Sequence, residues 1–280
     1  MRRSLIRWGW LFAGPTTLAF MIGFVVPFGL GIYLSFTKFT TVTRSTWVGV
    51  DNYVRLIGDQ TFLHSLWYTS AFALVTSVII NVAAFAVAYM LVKAIRGSNL
   101  FRSVFFMPNL IGGIVLGYIW LLLLNGILAY WTRSITYSET YGFWGMVMLV
   151  CWQQIGYMMV IYIAGLQSIP EDILEAARVD GATGRQALFQ VVIPLVMPAI
   201  TVCTFLTLTS GFKMFDQNLA LTNGAPSRLS ELLALNIFNT FYGRPGFEGV
   251  GQAKAVIFLL IVAAIAFVQN RFASSRETAQ

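Results

Sequence analysis

Residues 65–92 read SLWYTSAFALVTSVIINVAAFAVAYMLV and contain no Asp, Glu, Lys or Arg. An α-helix needs roughly 20 mainly apolar residues to cross the ~30 Å hydrocarbon layer of a bilayer. This run is long enough, and it therefore predicts a membrane-spanning helix.

The same criterion applied along the chain predicts six spanning helices, and so an all-α integral membrane protein with one domain over residues 1–280. They are expected at about 9–36, 65–92, 103–126, 142–167, 188–212 and 249–270. The sixth reaches spanning length only if it contains Lys254, whose amine could extend to the interface from a position near the helix end.

The composition supports this class. The chain is 58% apolar and only 10% charged, whereas soluble domains carry about 25% charged residues. This excludes an ordinary cytosolic domain, a disordered chain and a nucleic-acid-binding protein. Cys151 and Cys203 both lie in apolar runs, which predicts buried thiols rather than a disulfide or metal site.

The positions of the basic residues predict the orientation. With six spans both termini share one side, and ten of the 18 Lys and Arg residues fall there. These are Arg2, Arg3, Arg7, Lys93, Arg96, Arg102, Arg178, Arg185, Arg271 and Arg276. Because Lys and Arg near helix ends favour the cytoplasmic side, both termini are expected in the cytoplasm. The net charge of +7 then reflects residues that flank the spans.

The segment between the fourth and fifth spans, residues 168–198, holds four of the 11 acidic residues: Glu171, Asp172, Glu175 and Asp180. Ser168 and Glu171 match a capping box, and Gly181 is placed to end a short amphipathic helix. Such a helix can dock into a groove of another protein or lie on the lipid surface. Its acidic character favours docking slightly, because lipid-surface helices are usually rich in Lys and Arg.

Several motifs give the chain a family resemblance. EAARVDGA at residues 175–182, followed by VVIPLVMP at 191–198, resembles the EAA signature of the membrane subunits of binding-protein-dependent ABC importers, with Ile193 where the family often has Leu. The flanking residues are similar to the sugar-permease (maltose-type) branch. GVDNYVRL at 49–56, FFMPNLIGG at 105–113 and LALTNGAP at 219–226 also resemble segments of that branch.

The resemblance implies a six-helix permease whose residues 168–187 form a cytoplasmic coupling loop. It assigns coupling to an ATPase subunit to Glu175, Ala176, Ala177, Asp180, Gly181 and Pro194. Glu175 is the charged contact in this assignment, Gly181 permits a sharp turn, and Pro194 stiffens or bends the entry to the fifth span. It further implies a second, homologous permease as a heterodimer partner, two ABC ATPase subunits, an extracytoplasmic solute-binding protein and a sugar substrate. The location implied is the inner membrane of a bacterium or archaeon.

No catalytic motif accompanies these features. A P-loop needs G-x-x-x-x-G-K-[ST], and the chain lacks it, so ATP and Mg²⁺ are expected in the partner subunit and no cofactor in this chain. The single histidine, His64, is interpreted as an interfacial side chain. An intramembrane enzyme is therefore disfavoured, as is any nucleic-acid partner.

A polar and aromatic cluster marks a candidate substrate path close to the end of the fifth span. It comprises Phe212, Lys213, Phe215, Asp216 and Asn218. Aromatic faces can stack on sugar rings, while amides and charges can bond their hydroxyl groups. The alternative is that Lys213 and Asp216 simply form an i, i+3 ion pair at the interface.

Two other transport functions remain open at this stage. Glycerol phosphate and polyol importers have similar permeases. A self-sufficient secondary transporter is a more distant alternative, since such proteins usually show internal repeats or buried charges for ion coupling, and neither is evident here.

Overall fold

The computed structural model describes residues 13–41, 43–92 and 97–277, with side chains up to residue 269 and at Arg271. Within that part, five helices are long and apolar enough to cross a membrane, and the count is six if one bent helix pair is taken as a single span. This confirms the all-α membrane fold. Residues 9–12 of the first predicted span and five of the basic residues used for orientation (Arg2, Arg3, Arg7, Lys93 and Arg96) lie outside the described residues.

The helices and strands are numbered here in chain order. The elements are α1 (Ala13–Ser35), β1 (Thr37–Thr41), β2 (Arg44–Trp47), α2 (Asp51–Ile57), α3 (Gln60–Val92), α4 (Ser98–Phe106), α5 (Gly113–Leu128), α6 (Glu139–Gln167), α7 (Glu171–Val179), α8 (Gly184–Leu195), α9 (Met197–Phe212), α10 (Asp216–Leu221), α11 (Leu233–Gly243) and α12 (Glu248–Glu277). The antiparallel β1–β2 hairpin was not predicted. The chain divides into two compact units, and the single domain over residues 1–280 stays a prediction.

The first unit comprises Met1–Gln60 and Ile237–Leu260. Asn52 stabilises the turn that follows α1, because its Nδ2 donates to the carbonyl oxygens of Ser35 and Thr37, each at 2.9 Å. Gly249 allows α12 to approach this backbone closely, since an added Cβ would lie 2.1 Å from the Thr37 oxygen.

Lys254 corrects one sequence expectation in this unit. Its side chain is fully buried rather than extended to the interface, and its Nζ lies 2.7 Å from Asp59 Oδ2 and 2.9 Å from Thr240 Oγ1. A buried ammonium group needs such partners because its desolvation is otherwise costly. The ion pair therefore makes a charged residue compatible with the sixth span.

The second unit comprises Thr61–Asn236 and Ile261–Gln280 and holds the main apolar core, built chiefly from α3 and α6. Cys151 and Cys203 are buried free thiols, as predicted. Gly113 and Gly117 on α5 face α10, where an added Cβ would lie 2.8 Å from Asp216 Cβ or 2.6 Å from Ala220 Cβ. Small residues at this spacing let helices approach closely in lipid.

The third predicted span, 103–126, is interrupted. α4 ends at Phe106, a 3₁₀ turn covers Met107–Leu110, and α5 begins only at Gly113. Pro108 lacks the amide hydrogen that a continuous helix needs, and Ile111 is extended, with φ −83° and ψ 129°. The carbonyl end of α4 packs on Gly156 of α6, where an added Cβ would lie 1.8 Å from the Phe105 oxygen.

The fifth predicted span, 188–212, is also not a straight helix. α8 and α9 meet at Val196 and form an angle of 69°. Pro194 and Pro198 flank the break, and each removes a backbone donor from the helix. A π-helical segment at Ala187–Val192 adds a further irregularity. The two prolines predict an irregularity in this span, but the sequence alone does not predict the angle between α8 and α9.

Candidate functional site

A short helix, α7, forms within the segment where the coupling loop was predicted. None of its nine residues is buried. Leu174 packs on the edge of the apolar core and Ala177 is half-buried, while the outward positions, including Glu175 and Val179, are exposed. A short amphipathic helix that leaves one face uncovered is suited to a partner surface.

The start of α7 differs from the prediction. Pro170 is the N-cap residue and no side chain caps the helix, because Ser168 Oγ instead donates to the Gly165 oxygen at 2.8 Å. The capping box lies one helix later, at Thr183 and Gln186 of α8. There Gln186 Oε1 accepts from Thr183 N at 2.8 Å, and Thr183 Oγ1 accepts from Gln186 N at 3.4 Å.

The end of α7 is a Schellman motif centred on Gly181, whose φ of +79° lies in the left-handed region. The Ala182 amide donates to the Ala177 oxygen at 3.0 Å, and the Gly181 amide donates to the Arg178 oxygen at 3.1 Å. This pattern usually places glycine at the left-handed position. The prediction that Gly181 ends the helix is confirmed, although its role in coupling stays a prediction.

The other residues assigned to coupling lie along one continuous segment. Glu175, Ala176 and Asp180 are exposed, and no Lys or Arg among the described residues lies within 4.0 Å of Glu175. Pro194 lies beside the 69° bend, at the far end of α8. The exposed helix α7 is thus connected through Gly181 to α8, which is the first part of the bent α8–α9 pair.

Some residues of the candidate substrate cluster are exposed and others are buried. Lys213 and Asp216 are exposed and do not form an ion pair within 4.0 Å, which disfavours the alternative that they only pair with each other. Phe215 is half-buried at the start of α10, whereas Phe212 is only 6% exposed at the end of α9.

Asn218 has an interior position. Its side chain is completely buried, and its Nδ2 lies 2.8 Å from the Ser230 oxygen and 2.9 Å from Thr222 Oγ1. Its Oδ1 accepts from the Leu232 amide at 2.9 Å. These bonds fix the segment after α10, and a role for Asn218 in a substrate path stays a prediction.

Two glutamines join this cluster: Gln217, which lies next to Asp216 in the sequence, and Gln153, which was not predicted to belong to it. Gln217 Nε2 donates to Gln153 Oε1 at 2.9 Å, and Gln153 Nε2 donates to the Ile111 oxygen at 3.3 Å. The amide chain connects α10, α6 and the interrupted third span. The available signal was a Gln153-Gln154 pair inside an otherwise apolar run, because polar residues at membrane depth often mark substrate pathways.

His64 has partners on neighbouring segments of the second unit. His64 Nε2 lies 2.9 Å from the Leu229 oxygen and 3.5 Å from Glu139 Oε1, on a half-buried side chain. Among the described residues, no group of three or more His, Cys, Asp and Glu side chains could hold a metal ion.

Comparison with known proteins defines the class. The family model described as "binding-protein-dependent transport system inner membrane component" matches residues 96–277. The chain therefore belongs to this family of multi-pass inner-membrane transport permeases, whose relatives are transport proteins rather than enzymes.

Individual relatives align over almost their whole length. The chain is 41% identical to the probable starch degradation products transport system permease protein AmyD of Thermoanaerobacterium thermosulfurigenes, covering 96% of this chain and 95% of AmyD. It is 29% identical to the multiple sugar-binding transport system permease protein MsmF of Streptococcus mutans, with 96% of each chain covered. Identity to the sn-glycerol-3-phosphate permease UgpA of Brucella abortus is 28%, covering 94% and 93%.

Solved structures confirm the fold. A chain of a bacterial ABC transporter involved in the import of the acidic polysaccharide alginate superposes with a TM-score of 0.81 at 18% identity, covering 98% of both chains. A chain of the MetNI methionine ABC transporter gives 0.58 at 18% identity, covering 81% of this chain and 98% of that one. The fold is that of an ABC importer permease.

Proposed function

We propose that this chain is one of two membrane subunits of an ATP-driven importer for a sugar or oligosaccharide, and that it forms half of the translocation pathway. The observation that carries the proposal is α7, which stays exposed and is joined through Gly181 to the bent α8–α9 span. The similarity to AmyD and MsmF over nearly the whole chain supports a carbohydrate substrate.

The proposed assembly contains a second homologous permease, two ABC ATPase subunits that hold ATP and Mg²⁺, and an extracytoplasmic solute-binding protein. In it, α7 sits in a cleft of one ATPase, with Glu175 as the charged contact and Ala176 small enough for close approach. Closure of the ATPases moves α7, and Gly181 and Pro194 carry that movement into α9. Both termini and α7 then face the cytoplasm.

The proposed substrate path runs past Lys213, Phe215 and Asp216 and the Gln153–Gln217 amide pair. It supplies an aromatic face, an amide pair and two exposed charges on neighbouring elements. The similarity to UgpA supports glycerol phosphate or a polyol as the second candidate substrate. A secondary transporter is the more distant candidate.

Reversal of the charge at Glu175 tests the coupling role. In Glu175→Lys, the altered contact should reduce uptake and co-purification of the ATPase about tenfold or more, since about 1.4 kcal/mol of lost docking energy is already tenfold. Glu171→Lys is the matched control, because it changes the same charge in the same exposed helix outside the EAA sequence. Wild-type uptake by Glu175→Lys would contradict the proposal.

A further inference from the structure

A groove unrelated to the predicted substrate path lies between the last turns of α3 and the start of the fifth span. It encloses about 480 Å³, within the usual range for ligand sites. Phe85, Tyr89 and Met90 form one wall, and Leu188, Phe189 and Ile193 form the other. Its lining is almost entirely apolar, so its contents must be apolar as well.

A second cavity, of about 450 Å³, adjoins this groove at Phe189, which lines both. Its other lining residues are Thr183, Arg185, Gln186 and Gln190, so it contains a cation, amides and a hydroxyl but no carboxylate. The Arg185 guanidinium carbon lies 6.0 Å from the centre of the Phe189 ring. The two cavities together form an apolar trough with a positively charged end.

The length of the trough matches one leaflet of a bilayer. From Asn81 to Met90, α3 rises about 14 Å at ~1.5 Å per residue, about half of the ~30 Å hydrocarbon thickness. Asn81 offers little to a polar ligand at the inner end, because its Oδ1 accepts from Tyr162 at 2.6 Å and its Nδ2 lies 2.9 Å from Thr207 Oγ1.

We propose that this trough binds an anionic phospholipid, with one acyl chain beside Phe85 and Phe189 and the phosphate at Arg185. A cation at the end of an apolar cleft between spans is the chemistry that holds acidic headgroups. A partner helix fits less well, because helix contacts in lipid favour small side chains and the six wall residues are large. The assignment to the cytoplasmic leaflet rests on the proposed function.

The position of this lipid gives it a consequence for transport. Arg185 and Phe189 belong to α8, which directly follows the Schellman turn at Gly181. A bound lipid joins this first part of the bent span to α3. It therefore stabilises the segment through which α7 is connected to the spans.

Photo-crosslinking tests the proposal on the importer purified with its partner subunits. The complex is placed in phosphatidylcholine nanodiscs with a trace of phosphatidylglycerol that carries a diazirine on its acyl chain. Peptides containing residues 85–90 and 188–193 should be labelled. Arg185→Gln should reduce that labelling about fivefold, as expected for one cation near an acidic headgroup, whereas Arg185→Lys should retain it.

Arg244→Gln is the control, because it removes the same charge from a loop outside both cavities and should leave labelling unchanged. A phosphatidylcholine probe that labels the two peptides equally well would show a nonspecific acyl-chain site and overturn the proposal. Absence of label from both peptides would also overturn the proposal, because no lipid acyl chain would then lie in the trough. Labelling does not require transport, so its outcome is independent of uptake measurements that test the proposed function.

Discussion

At the scale of single residues, Lys254 shows how this chain carries a charge inside a span. Its ammonium group is buried against Asp59, whose side chain is 18% exposed, and it also donates to Thr240. Removing one member of a buried ion pair is far more costly than replacing both, because it leaves the other charge buried without compensation.

Lys254→Met should therefore lower the free energy of unfolding by about 3 kcal/mol, and the double variant with Asp59→Asn should recover a substantial part of it. Thermal unfolding of the detergent-purified protein measures both effects in a double-mutant cycle. Equal melting temperatures for Lys254→Met and the wild-type protein would show that the pair contributes nothing.

Asp216 is the residue that tests the substrate path. Asp216→Ala removes an exposed carboxylate beside the Gln153–Gln217 pair. Loss of one charge-assisted hydrogen bond to a substrate hydroxyl group, of about 1.5–3 kcal/mol, should reduce uptake roughly tenfold or more. The complex should still assemble, which co-purification of the partner subunits checks. Asp51→Ala, which removes an exposed carboxylate from α2, serves as the control. Unchanged uptake in Asp216→Ala would place the path elsewhere.

At the scale of elements, the connection between α7 and α8 depends on one left-handed residue. Gly181→Ala should reduce coupled uptake, because an L-residue at φ +79° costs roughly 1–2 kcal/mol and disturbs the direction of α8. More ATP should then be hydrolysed per substrate molecule imported. Gly184→Ala is the matched control, since nothing lies within 4 Å of its added Cβ. Identical coupling ratios in the two variants would argue against the role of the turn.

The elements also show what the sequence could predict. Long runs without charge predict the approximate positions of all the spans except the last, which contains Lys254, and Gly181 predicts the end of α7. The interruptions depend on contacts distant in sequence. Pro108 permits a break, but the packing of the Phe105 backbone on Gly156 is not visible in either segment alone. In the same way, the sequence does not predict the contact of Gln153 with the substrate cluster, because its partner, Gln217, lies 64 residues away.

At the scale of the whole molecule, the proposed function gives this chain a pathway and an attachment point for an ATPase, and the sequence contains no P-loop motif. The scarcity of charge made the acidic loop conspicuous, and that loop led to the family that the comparisons confirm. The substrate, the partners and the orientation depend on surfaces that face other molecules, so the packing within this chain does not determine them.

In the proposed importer, ATP hydrolysis in partner subunits drives sugar uptake through this permease. The most direct test is uptake of radiolabelled malto-oligosaccharides into proteoliposomes that contain the complete complex, with the solute-binding protein outside and ATP inside. We expect accumulation that requires both ATP and the binding protein and is unaffected by collapse of ion gradients. Uptake by this chain alone, without ATP but driven by a proton or sodium gradient, would contradict the account.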